Sequence, residues 1–176
     1  MAKISNFFAR VLGFERSYEA QAAIANYYPF GTTLAGHTDH SEQNLEAPLF
    51  SISFGQSAIF LIGGTTKDIK PTAILLKSGD VCIMSRESRV CYHAVPRIVK
   101  TQEETWNQNT PRNDYKSEQS FKKLKIDLNT DIDWLREWQM DCELYQNIAN
   151  EDFWLPFRSY LSEARINLNV RQVLCE

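Results

Sequence analysis

The sequence predicts a mainly β fold of the sandwich or jelly-roll type, with a helix near each end of the chain. Short runs rich in β-branched and aromatic residues follow one another from residue 24 to residue 94, separated by turn residues rather than by helices. The tail from Arg165 to Leu174 alternates strictly between polar and apolar residues, as a half-buried strand does. A chain of 176 residues, 43% hydrophobic and 23% charged, is long enough for one domain with a core of its own.

The first predicted element is an amphipathic helix. Its apolar face consists of Ile4, Phe7, Phe8, Val11 and Leu12. The same stretch carries basic residues and no acid before position 15. This pattern fits both a packed surface helix and a mitochondrial presequence, and the sequence leaves the two alternatives open.

The predicted strands follow the helix. They occupy residues 24–30, 48–54, 57–62, 72–77, 81–84 and 89–94. Gly55 and Gln56 separate two of these runs and predict a tight hairpin. Ser78, Gly79 and Asp80 predict a further turn.

The second half of the chain changes in composition. Residues 100–129 are polar and charged with little apolar periodicity, which predicts an exposed insertion. Helical spacing returns over residues 130–148. A second short helix is predicted over residues 152–164, with its buried side formed by Phe153, Trp154, Phe157, Tyr160 and Leu161.

A candidate metal site comes from two of the three histidines. His37 and Asp39 are two residues apart, so in an extended segment their side chains point to the same side. His93 ends an apolar run and is placed to join them from a neighbouring strand. Two imidazoles and one carboxylate on one face of a metal leave three positions open, as in non-haem Fe(II) oxygenases. A His-x-Asp pair by itself is also common in surface loops.

The tail strand carries a second candidate site. Arg165, Asn167, Asn169 and Arg171 share one face of it, which points inward if the intervening apolar residues pack outward. Inward arginines need a negative partner. The partner is either a protein carboxylate, through buried salt bridges, or a dicarboxylate ligand that a guanidinium binds with two parallel hydrogen bonds. A solvent-facing edge strand with its apolar residues inside is a further alternative.

Taken together, these motifs resemble those of the AlkB family of Fe(II)/2-oxoglutarate dioxygenases, and within it the AlkB homologue 1 type. The resemblance covers residues from about 12 to 97 and from about 152 to 174. It rests on the motifs Asn26-Tyr27-Tyr28, His37-Thr38-Asp39, Pro48 to Phe60, Ser78-Gly79-Asp80, Ser88 to Arg97, and Arg165 to Arg171.

The resemblance implies a double-stranded β-helix, which is a distorted jelly roll, with Fe(II) held by His37, Asp39 and His93. It places Glu42 near the substrate base, although a surface glutamate is an equal alternative. The family residues that bind 2-oxoglutarate correspond to Asn26, Tyr28, Arg165, Asn167 and Arg171.

By the same resemblance, the expected activity is oxidative demethylation of methylated bases in transfer RNA or DNA. Oxygen and 2-oxoglutarate are converted to succinate and carbon dioxide, and the methyl group leaves as formaldehyde. Two alternatives stay open. The chain is either a catalytically weak or silent fragment that acts by binding, or a dioxygenase that acts on protein.

Family members have a substantial segment before the Asn-x-Tyr strand, whereas here only about two dozen residues precede Asn26. We therefore interpret residues 1–176 as one dioxygenase domain that is incomplete at its amino terminus. The formal charge of −3 leaves only local clusters to meet phosphates. The basic residues available for this are Lys67, Lys70, Arg86, Arg89 and Arg97.

Composition also bears on where the protein acts. The four cysteines are far apart and show no metal-binding spacing, which is typical of a reducing compartment. No apolar run is long enough to span a membrane, so no membrane partner is expected. We therefore expect an intracellular protein of the nucleus or mitochondrion, or of the cytoplasm. The sequence does not indicate an oligomeric state.

Overall fold

A computed structural model describes residues 2–14, 18–102, 104, 106 and 151–175, with the side chains of residues 151, 153 and 154 excepted. The chain divides into two compact units, Met1–Gln102 with Tyr160–Glu176, and Glu103–Ser159. The described part of the second unit comprises Glu104, Trp106 and residues 151–159. Most of the predicted insertion and the predicted helix over 130–148 lie outside the described residues.

Eight strands, two α-helices and one 3-10 helix form the described part of the chain. In order, they are α1 Ala2–Val11, β1 Ala22–Pro29, β2 Leu34–His37, β3 Leu49–Gly55, β4 Ser57–Ile62, β5 Thr72–Leu76, β6 Val81–Met84, the 3-10 helix Arg86–Val90, β7 His93–Val99, α2 Glu151–Glu163 and β8 Ala164–Arg171. Within these described residues, no helix is both long and apolar enough to cross a membrane.

The strands form two four-stranded sheets, in the orders β1-β8-β3-β6 and β2-β7-β4-β5. All strand pairs are antiparallel. A buried apolar cluster that includes Tyr28 and Leu49 of the first sheet and Phe60 and Val95 of the second is the core of the roll. This arrangement confirms the predicted mainly β fold with helices near both ends.

The predicted hairpin at Gly55-Gln56 is wrong. Gly55 does adopt a left-handed conformation, with φ of 73°, but β3 and β4 that flank it belong to different sheets. Both edges of β3 are taken by β6 and β8, so the chain turns a corner instead of pairing with itself. The side-chain amide of Gln56 stabilises this corner. It donates to the backbone carbonyls of Leu161 and Ser162 and accepts a hydrogen bond from the backbone N–H of Thr101.

The predicted strand over 89–94 is also wrong in its first half. Residues 86–90 form a 3-10 helix, and β7 begins at His93. Strand β2 was not predicted, because its sequence Leu-Ala-Gly-His is short and carries no alternating pattern. The tail strand ends at Arg171 rather than at Leu174.

The outer face of the first sheet has a core of its own. Ala9 of α1 and Tyr18 pack there against Phe50 and Val170. The predicted face of α1 is therefore partly wrong, since Ala9 is buried whereas Val11 is 65% exposed. In α2, Leu161 is buried as predicted, whereas the prediction is wrong for Phe157 and Tyr160, which are exposed. The side chains of Phe153 and Trp154 lie outside the described part of the chain.

Candidate metal and anion site

Two neighbouring strands bring the two candidate histidines together. His37 ends β2 and His93 begins β7, and the two residues lie opposite each other. The strand register shifts between Leu34 and His37. Directly opposed residues of an antiparallel pair point to the same face. The imidazole centroids are 4.3 Å apart as a result.

Asp39 follows β2 and completes a cluster of three possible metal ligands. His93 Nε2 lies 3.5 Å from Asp39 Oδ2, and His37 Nε2 lies 3.9 Å from Asp39 Oδ1. One ligand atom from each of the three residues lies within 4.8 Å of the others. Metal bonds of about 2 Å at right angles need ligand atoms about 3 Å apart, so the cluster is close to that requirement.

The imidazoles are oriented by their other nitrogen atoms. His37 Nδ1 lies 2.9 Å from the Ala35 carbonyl oxygen, and His93 Nδ1 lies 3.1 Å from that of Cys91. A carbonyl can only accept, so each Nδ1 carries the proton and donates it. The Nε2 atom of each ring then lies on the side of Asp39, the orientation that a second hydrogen bond gives to the histidines of metal sites.

The two oxygens of Asp39 have different surroundings. Oδ1 accepts a 3.1 Å hydrogen bond from Arg171, whereas Oδ2 is buried and has no hydrogen-bond partner among the described residues. Burial alone would raise the pKa of Asp39, but His93 and the charges of Arg171 and His37 outweigh it and hold the pKa at about 2. Asp39 is therefore a buried carboxylate with one oxygen free to bind a cation.

Arg165 lies in the same roll interior and is 1% exposed. Its Nη2 donates to Ser53 Oγ at 3.0 Å, while Nε and Nη1 have no partner among the described residues. The Tyr28 ring centroid lies 5.4 Å from its Cζ. Burial lowers the pKa of this guanidinium, because no protein carboxylate within the described residues neutralises it. The dicarboxylate alternative therefore fits Arg165.

Asn26 and Asn167 continue this polar face. They are register partners on β1 and β8, and Asn26 Nδ2 lies 3.5 Å from Asn167 Oδ1. Asn167 donates to Ser51 Oγ at 2.7 Å. Ser51 and Ser53, which the sequence analysis did not single out, alternate with apolar residues in β3 and could have been found from that pattern.

Arg171 instead fits the predicted alternative in which an inward arginine is neutralised by protein carboxylates, because it forms buried salt bridges. Its guanidinium binds Oε1 of Glu42 and Oδ1 of Asp39. Glu42 is 6% exposed and also accepts a 3.0 Å bond from Arg89, so it is not a surface glutamate. Both oxygens of its carboxylate have arginine partners, which does not favour direct contact with a substrate base. Arg89 is itself buried and is therefore not one of the predicted phosphate contacts.

The three ligands, the free oxygen of Asp39 and the unneutralised Arg165 together favour a divalent metal with an anion beside it. The family model of the 2OG-Fe(II) oxygenase superfamily matches residues 2–171. The chain belongs to this superfamily.

Curated proteins similar to this superfamily member include AlkB-type proteins from several organisms. It is 39% identical to the human "Nucleic acid dioxygenase ALKBH1" over 171 residues, which is 97% of this chain and 38% of that protein. It is 35% identical to the Arabidopsis thaliana "DNA N(6)-methyladenine demethylase ALKBH1A" over 89% of this chain and 35% of that protein. The Schizosaccharomyces pombe "tRNA demethylase abh1" is 49% identical over 82 residues, 47% of this chain and 27% of that protein.

A solved structure, "The structure of OsALKBH1", has the same fold. The TM-score is 0.58 at 20% identity, over 97% of this chain and 62% of that one. The curated relatives confirm the resemblance to the AlkB homologue 1 type, and the solved structure confirms the fold. The chain spans well under half the length of the ALKBH1 relatives, 38% of the human and 39% of the mouse protein.

Proposed function

We propose that this chain is an Fe(II)- and 2-oxoglutarate-dependent dioxygenase that demethylates methylated bases in nucleic acid. Membership of the superfamily supports the cofactor and the cosubstrate. The observation that carries the proposal is the buried Asp39 Oδ2, which has no hydrogen-bond partner among the described residues and lies 3.5 Å from His93 Nε2, in a cluster whose third member is His37. An unpaired buried carboxylate oxygen is costly unless a cation or a donor meets it.

In this proposal His37, Asp39 and His93 hold Fe(II), with the Nδ1 hydrogen bonds orienting both imidazoles. Fe(II) and 2-oxoglutarate, when bound, supply the oxidising chemistry. The protein residues provide binding and orientation. Arg165 pairs with the distal carboxylate of the cosubstrate through its two unpartnered nitrogens, and Tyr28 covers the guanidinium.

Asn26 and Asn167, which are register partners on β1 and β8, would contact the rest of the cosubstrate in this proposal. Arg171 keeps Asp39 ionised and oriented. Its Nε has no partner among the described residues, and in this proposal that nitrogen donates to the metal-proximal end of 2-oxoglutarate.

The substrate class rests on the relatives, whose printed names describe nucleic acid dioxygenases and DNA or tRNA demethylases. Transfer RNA or DNA with methylated adenine or cytosine is the proposed substrate. The proposed location is intracellular, in the nucleus or mitochondrion or in the cytoplasm, in keeping with cysteines that show no disulfide or zinc spacing.

The test measures succinate and formaldehyde separately. With Fe(II), 2-oxoglutarate and a methylated transfer RNA or DNA oligonucleotide, we expect succinate and formaldehyde in equal amounts. An Asp39→Ala variant, which lacks the carboxylate ligand, should form neither product. Succinate without formaldehyde would contradict the nucleic-acid substrate and favour a protein substrate or uncoupled turnover. Absence of both products from the unaltered chain would favour a silent binding fragment.

A further inference from the structure

Arg89 is a buried arginine that none of the proposed binding roles uses. It is 2% exposed and lies on the 3-10 helix Arg86–Val90, just before the strand that begins with His93. Burying a guanidinium costs several kcal/mol unless every donor nitrogen finds an acceptor. Its hydrogen bonds therefore indicate what the residue is for.

All three nitrogens of Arg89 are engaged, and each reaches a different segment. Nη1 donates to the Asp39 main-chain carbonyl at 2.7 Å, and Nη2 donates to Glu42 Oε2 at 3.0 Å. Nε donates to the Ala47 carbonyl at 3.1 Å, two residues before β3 begins. The guanidinium thus ties the loop that carries Asp39 to the segment that leads into β3.

The contacts close into a ring around Asp39. Arg89 binds its main-chain carbonyl and also Glu42, Glu42 binds Arg171, and Arg171 binds the Asp39 carboxylate. Two cations and two anions balance each other in this buried ring. Asp39 is therefore held at its backbone and at Oδ1, and its rotation is restricted, with Oδ2 lying 3.5 Å from His93 Nε2.

We propose that Arg89 is a positioning residue for the metal centre, acting with Glu42 to fix the backbone and carboxylate of Asp39 through this ring. The inference rests on the proposed metal site and assigns a role that the metal ligands alone do not explain. Partners that orient a metal ligand typically change metal affinity about 10–100-fold when they are removed. It also gives Glu42 a role that its two arginine contacts support, in place of contact with a substrate base.

The geometry makes lysine an informative replacement. A guanidinium presents its donors in a fixed planar fork, whereas an ammonium is a point charge on a flexible stem. Lysine at position 89 keeps the charge beside Glu42 but cannot reach Asp39, Glu42 and Ala47 together. Arg89→Lys therefore distinguishes the contribution of the planar guanidinium from that of the positive charge.

The experiment is a Co(II) titration of the 176-residue chain, read by the visible d–d absorption, with folding checked by thermal unfolding. We expect Arg89→Lys to bind Co(II) about 10–100-fold more weakly than the unaltered chain, with a changed absorption spectrum. Leu76→Ala is the matched control, because Leu76 is buried in β5 at the end of the second sheet away from His93. It should lose stability and keep both the Co(II) affinity and the spectrum.

A second variant covers the case in which Arg89→Lys does not fold. Arg89→Met combined with Glu42→Leu replaces the ion pair by apolar side chains, a change that proteins often tolerate. We expect the same weakening of Co(II) binding. Unchanged affinity and spectrum in either folded variant would overturn the role of Arg89. No Co(II) binding by the unaltered chain would instead overturn the proposed metal site, and this inference with it.

Discussion

The Nη2 atom of Arg165 donates a 3.0 Å hydrogen bond to the Oγ atom of Ser53, a neutral hydroxyl, at a position that is 1% exposed. The other inward arginine of β8, Arg171, binds two carboxylates instead. One strand therefore carries a neutralised cation beside the metal ligands and an unneutralised one further along. An anionic cosubstrate would neutralise the charge of this second cation, Arg165.

Replacing Arg165 by methionine should separate ligand binding from folding. Without ligand, Arg165→Met is expected to be at least as stable as the unaltered chain, because it removes a buried charge that no carboxylate of the described residues neutralises. Addition of 2-oxoglutarate should raise the melting temperature of the unaltered chain but not that of the variant. Arg165→Lys keeps the charge but loses the fork, and in calorimetry it should bind 2-oxoglutarate at least about tenfold more weakly. Unchanged affinity would mean that Arg165 does not contact the cosubstrate.

The stability of the metal-free protein should depend on pH through Asp39. Its pKa of about 2 lies below the ordinary value of 3.8, so the carboxylate stabilises the fold above pH 4 and loses this contribution as the pH falls toward 2. The contribution is about 2 kcal/mol in the free energy of unfolding. Urea unfolding with a chelator present should therefore show the unaltered chain more stable than Asp39→Asn at pH 6. The difference should narrow below pH 4, and a difference that stays constant down to pH 2 would contradict the prediction.

Alanine at Gly55 should destabilise the corner between the sheets. A Cβ atom there would lie 2.4 Å from the Ala164 carbonyl oxygen, in a backbone with φ of 73°. Gly13 has nearly the same φ, 70°, with nothing within 4 Å of its added Cβ, so Gly13→Ala reports the backbone preference alone. We expect a loss of about 1 kcal/mol for Gly13→Ala and about 3 kcal/mol for Gly55→Ala in chemical denaturation. Equal losses of stability in the two variants would show that the backbone near Ala164 moves away from the added Cβ atom at no cost in free energy.

The substitution Gln56→Met should destabilise the protein, because it leaves buried backbone groups without hydrogen-bond partners. Gln56 is fully buried. Its side-chain amide accepts a hydrogen bond from the backbone N–H of Thr101 and donates to the backbone carbonyls of Leu161 and Ser162. Leaving these groups without a partner is expected to cost about 3 kcal/mol or more in the free energy of unfolding. The control is Gln43→Met at an exposed position, where a change within about 0.5 kcal/mol is expected. A similarly small change for Gln56→Met would show that water replaces the side chain.

Much of the fold and much of the candidate metal cluster could be predicted from local sequence. Strand alternation depends only on the two-residue period, so it correctly placed Arg165, Asn167 and Arg171 on one face of the tail strand. The same period placed His37 and Asp39 on one side of an extended segment. The short 3-10 helix at 86–90 and strand β2 were missed because neither carries a period that a few residues can establish.

Pairing between distant residues was decided only by the tertiary structure. The turn residues Gly55 and Gln56 specify a change of direction, but the partners of β3 are strands from elsewhere in the chain, so a corner forms where a hairpin was predicted. In the same way, the sequence placed two arginines inside the roll without saying which one meets a carboxylate. Arg171 reaches Asp39 across 132 positions of sequence, and Arg89 reaches Glu42 across 47. Periodicity determines which way a side chain points, whereas the packing of the two sheets determines what it meets, because a buried charge is stabilised by neighbours brought from other strands.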